Sequence, residues 1–113
     1  MAAENGDEVY CRAAVSRAYY SCFLLAQLKT GVYDNLDIHV QVIKASARHG
    51  RLSHIQSDKF WKLKALRVCA DYYVDPGPSR AIGLPHPDNW ASIYEEAARY
   101  AEHIRQALKK LHG

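Results

Sequence analysis

The chain is poor in the features that announce most chemistries. No apolar run approaches the roughly 20 residues of a membrane span, so a transmembrane segment is not expected. The first eight residues are acidic and have no apolar core, which argues against a secretory signal. HExxH, a phosphate-binding P-loop and GxGxxG are all missing. Proline is scarce, and all four prolines fall between Pro76 and Pro87. Cysteine is limited to Cys11, Cys22 and Cys69, with no CxxC and no zinc-type spacing. On one helix Cys11 and Cys22 stand about 16 Å apart, too far for a disulfide. An odd, unbridged set fits a reducing cytoplasm. No metal and no cofactor are expected.

What is present is ordinary for a folded domain: 113 residues, 49% hydrophobic and 24% charged. One domain over residues 1–113 is expected. The net charge of +3 is unevenly placed. Residues 44–67 carry seven basic groups (Lys44, Arg48, Arg51, Lys59, Lys62, Lys64, Arg67) against Asp58 alone, a net +6 flanked by acidic stretches. Such a block, with His54 inside it, is a candidate footprint for a phosphate backbone. A solvated helix face is the alternative.

Hydrophobic periodicity predicts four helices and no strands. The first spans about 6–30, with Asn5-x-x-Glu8 as a capping box and Gly31 as its stop. The second spans about 38–49, with Asp37 as N-cap and Gly50 as stop. The third spans about 54–74, opened by Ser53-x-x-Gln56 and ended by Pro76-Gly77-Pro78. Residues 75–88 read as an exposed loop. The fourth spans about 89–112 with Asp88 as N-cap. In it Trp90, Tyr94, Ala97, Ala101, Ile104, Leu108 and Leu111 form an unbroken 3.5-residue seam. The first helix is apolar around nearly all of its circumference, except a strip through Arg12, Ser16 and Gln27. It is the candidate for an extra contact, most simply a homodimer interface.

Arg17 projects among Tyr10, Ala13, Leu24 and Leu28 on that wheel. A buried guanidinium needs a partner. Arg67 and Asp71, one turn apart on the third helix, supply the candidate cluster Arg17–Arg67–Asp71. His39, in the first turn of the second helix, reads as structural rather than as a ligand. Tyr19-Tyr20 and Tyr72-Tyr73 read as core aromatics, with base stacking as the alternative.

Three segments together resemble a known family: Ala14-Val-Ser-Arg17-Ala-Tyr19-Tyr20-Ser-Cys-Phe23, His39-x-x-Val42, and Leu66-Arg67-Val-Cys-Ala70-Asp71-Tyr72. They resemble the small stand-alone members of the HEPN superfamily. The resemblance implies an all-α, up-and-down four-helix bundle that dimerises through its first and third helices. It also implies partnership with a minimal nucleotidyltransferase in a toxin–antitoxin or defence module. Other members are metal-independent endoribonucleases that use Arg-x4–6-His to assist attack of an RNA 2′-hydroxyl on phosphate. Arg67 takes the arginine position here, but positions 72–74 are Tyr72, Tyr73 and Val74. A tyrosine with a pKa near 10 is a poor general base at neutral pH. Arg48/His54, Arg80/His86 and Arg105/His112 also fit the spacing, away from the family's motif position.

Besides a bare oligomeric scaffold without RNA binding, two functions therefore stand. One is a non-catalytic or weakly catalytic partner that binds nucleotide or RNA through Lys44, Arg48, Arg51, His54, Lys59, Lys62 and Lys64. The other is a ribonuclease using Arg67, Asp71 and Tyr72.

Overall fold

The structure, a computed structural model, describes residues 5–33, 36–48, 52–72 and 90–110. It consists of α1 (Asn5–Thr30), α2 (Ile38–Arg48), α3 (His54–Tyr72) and α4 (Trp90–Lys109). No strand occurs among the described residues. The all-α expectation holds, and the four helices fall where the periodicity puts them. The expected loop at 75–88, the caps at Asp88 and Gly50, and Leu111 lie outside the described residues.

Local signals set the helix ends. Gly31 adopts φ +74°, and its N–H donates to the Gln27 carbonyl at 2.8 Å. This left-handed C-terminal cap is cheap only without a Cβ. Asp37 takes φ +56°, a region its short polar side chain tolerates, and its carbonyl accepts the first bond of α2 from Gln41 N–H at 3.0 Å. Ser53 and Gln56 form a reciprocal capping box. Ser53 N–H donates to Gln56 Oε1 at 2.9 Å, and Gln56 N–H donates to Ser53 Oγ at 3.1 Å. Glu8 pairs with Arg12 at 3.1 Å, and the Asn5 side chain of the expected capping box lies outside the described side chains.

The core is shared by all four helices. Val15, Tyr19, Cys22 and Ala26 of α1 are fully buried, as are Val42 and Ile43 of α2, Phe60 and Leu63 of α3, and Ala97, Ala101, Ile104 and Leu108 of α4. Each of the larger side chains contributes about 1.5–3 kcal/mol through burial. All three cysteines are buried and free.

Contacts fix the helix directions. Arg12 meets Ala70 while Tyr19 packs on Phe60, so α1 and α3 run antiparallel. Tyr10 packs on Tyr94 while Ser21 meets Arg105, so α1 and α4 run parallel. Strict up-and-down alternation would make α1 parallel to α3. That part of the expectation is corrected. The physical reason is length: α2, at 11 residues, spans about 16 Å and does not carry the chain back along the 26-residue α1.

Candidate functional site

A polar cluster forms within the bundle where α1, α2 and α3 meet. Arg67 is buried, with its side chain 7% exposed. Its guanidinium lies over the rings of Tyr19 and Tyr20, at 5.2 and 5.4 Å from their centroids. It also pairs with Asp71 Oδ2 at 3.6 Å, one helical turn on. Two aromatic faces and a carboxylate are what a buried cation needs. Asp71 in turn accepts a bond from Ser16 Oγ at 3.3 Å.

His39 completes the cluster from the first turn of α2. Its Nδ1 lies 2.7 Å from the Tyr19 hydroxyl, and its ring packs on Phe23 at 4.4 Å between centroids. Burial, then the nearby charges of Arg67 and Lys64, push its pKa below the ordinary 6.5. The imidazole is therefore neutral at physiological pH. Burial pushes the Tyr19 pKa far up, against the opposing pull of the Arg67 charge. A phenol that keeps its proton can donate it to Nδ1, and this assignment leaves the imidazole proton on Nε2.

The expected cluster of Arg17, Arg67 and Asp71 is brought together only in part. Arg67 and Asp71 are paired, but Arg17 is exposed on the opposite side of α1. Ser16 occupies the place expected of Arg17 beside Asp71. The wheel misleads because α1 is apolar on both faces. The face through Val15, Tyr19, Cys22 and Ala26 turns inward, while Tyr10, Leu24 and Leu28 stay 62%, 59% and 67% exposed. The inward-reaching arginine of α1 is Arg12. Its Nε donates to the Ala70 carbonyl at 2.9 Å, its Nη2 to the Cys69 carbonyl at 3.4 Å, and its head sits 5.2 Å from the Trp90 ring centroid.

The basic block is likewise divided. Lys44, Arg48 and His54 are exposed. Lys59 turns toward α4, where Nζ lies 2.9 Å from His103 Nδ1, and Lys62 pairs with Asp58 at 3.4 Å. Lys64 lies on the other side, toward His39. Arg51 lies outside the described residues, and Tyr72 is the last residue of α3.

Sequence reasoning missed the hydrogen bond between His39 and Tyr19 and the seating of Arg67 on that same tyrosine. No spacing encodes either, since three helices contribute one group each. Among the described residues no group of three or more His, Cys, Asp or Glu could hold a metal ion. Among them, too, no helix is long and apolar enough to cross a membrane. Compared with family models, curated proteins and solved structures, the chain matches none.

Proposed function

We propose that this protein is a HEPN-type helical partner domain that works by binding rather than by catalysis. In this reading it forms a homodimer in the cytoplasm and associates with a minimal nucleotidyltransferase. It also binds nucleotide or RNA through exposed basic side chains. The observation that carries the reading is the burial of Arg67. Its guanidinium lies against Tyr19, Tyr20 and Asp71, turned away from any phosphate in solvent. A catalytic arginine must reach the reacting phosphate.

The outward face of α1 supports the dimer. Leu24 and Leu28 lie one turn apart and are more than half exposed, while the opposite face of the same helix is in the core. Exposed Lys44 and Arg48 supply charge for a phosphate backbone.

The test combines sedimentation with RNA binding. A dimer whose RNA affinity falls steeply with salt, and falls further with K44Q/R48Q, supports the reading. A monomer with no salt-dependent RNA binding overturns it.

A second reading, the metal-independent endoribonuclease, is favoured by one observation. His39 and Arg67 both contact Tyr19, and His39 brings the imidazole that positions 72–74 lack. It requires Arg67 to leave its aromatic seat.

A further inference from the structure

Where α1 and α4 run side by side they leave a groove of about 330 Å³ between them, within the range of small-molecule sites. Its floor is Ala14 and Ala18 of α1 with Ala98 and Ala101 of α4. Elsewhere the helix contacts are filled by Phe60, Leu63, Ile104 and Leu108, so the space comes from a choice of small residues.

The two ends of the groove differ in chemistry. At one end Tyr10 and Tyr94 meet edge to face, 6.5 Å between centroids, with Tyr10 62% exposed. At the other, Arg105 Nη1 donates to Ser21 Oγ at 2.7 Å. Ser21 lies one helical turn beyond Arg17, which lines the same wall. Among the described residues Arg17 shows no hydrogen-bond or ion-pair partner. Arg105 also donates from Nη2 to Glu102 Oε1 at 2.7 Å, so one acidic group sits at the rim while, among the described residues, none lines the groove. Two guanidiniums with spare N–H donors form a phosphate seat. Tyrosine faces form a seat for a flat ring.

We propose that this groove binds a small aromatic phosphate monoester, with the ring on Tyr10 and Tyr94 and the phosphate on Arg17 and Arg105. Tyr10 and Arg17 are about 10 Å apart along α1 at 1.5 Å per residue. A mononucleotide, whose sugar separates ring from phosphate, comes closer to that reach than a simple aryl phosphate does. Among the described residues Asp, Glu, Asn and Gln are missing from the lining, so no side-chain amide or carboxylate is placed to read the edge of a base. A nucleotide held here is selected by ring and phosphate, not by base identity. This site is separate from the basic block of α2 and α3 and does not rest on the partner reading.

The test is calorimetric titration of the full chain, at its own oligomeric state, with phenyl phosphate, a purine nucleoside monophosphate, the unphosphorylated nucleoside and inorganic phosphate. At least one ester is expected to bind ten-fold or more tightly than the nucleoside and the inorganic ion. Their ratio tells a nucleotide from a simpler aryl phosphate. Arg17 is exposed, so R17Q retains the fold, and it is expected to weaken binding at least ten-fold while K44Q/R48Q does not. Unchanged affinity in R17Q, or equal loss in K44Q/R48Q, overturns the proposal. So does the absence of binding at millimolar ester. A monomeric L24E/L28E variant separates the two ideas. If it binds the ester as wild type does, the groove stands whatever becomes of the dimer. Binding that appears only in the monomer means a second copy covers the groove, and the proposal fails.

Discussion

Arg12 Nε lies 2.9 Å from the carbonyl oxygen of Ala70, so a side chain of α1 caps the last turn of α3. Carbonyls at a helix C-terminus have no partner within the helix, and they carry the negative end of its dipole. Arg12 satisfies two of them and places its charge where the dipole favours a cation. Arg12→Ala is therefore expected to cost about 1.5–3 kcal/mol, the range for charge-assisted hydrogen bonds. Arg17→Ala, on an exposed surface, should stay within about 0.5 kcal/mol. Chemical denaturation of the two variants measures both. This order reverses the one the helical wheel implies, in which Arg17 is the buried arginine.

His39 makes stability depend on pH. Its pKa in the fold is below the ordinary 6.5, so the unfolded chain binds the proton more readily. The groups facing it are Tyr19, Tyr20, Phe23, Arg67 and Lys64, and both charged ones are cationic. The stability held above pH 6.5 should decline as pH falls through 6.5 toward the lower folded value. Melting temperatures between pH 8 and 5 should show this decline. The part due to His39 should vanish in His39→Gln.

Tyr19→Phe removes a hydroxyl and keeps the ring. The Arg67 cation–π contact survives, but His39 Nδ1 loses its partner at 2.7 Å. A loss of about 1–2 kcal/mol is expected. The histidine proton resonances should shift in an NMR titration, because the hydroxyl no longer fixes the tautomer.

The outward face of α1 predicts the assembly. Leu24 and Leu28 are 59% and 67% exposed and lie one turn apart. L24E/L28E should dissociate the proposed dimer without loss of helicity, since neither side chain belongs to the core. Sedimentation velocity with circular dichroism checks both halves of that statement.

Much of the helix layout was legible in the sequence because its signals are local. Ser53 and Gln56 cap α3 as their spacing implies, and Gly31 takes the left-handed turn that ends α1. The seam of Trp90, Ala97, Ala101, Ile104 and Leu108 is buried. What was not legible is tertiary. With apolar residues on both faces of α1, periodicity alone does not tell which face meets α3. Arg12 and Arg17 therefore exchanged roles. The link between Arg67 and Asp71 was readable as an i, i+4 pair. The approach of His39 from another helix was not. The groove between α1 and α4 depends on their parallel alignment, which no local pattern specifies.

The most direct test of the binding reading is a metal-free RNA incubation followed to completion, comparing wild type with His39→Gln and Arg67→Lys. A binding protein whose Arg67 stays over Tyr19 and Tyr20 should leave the RNA intact in all three samples while retarding it in a gel. Cleavage by the wild type that disappears in both folded variants would contradict the account and establish the ribonuclease.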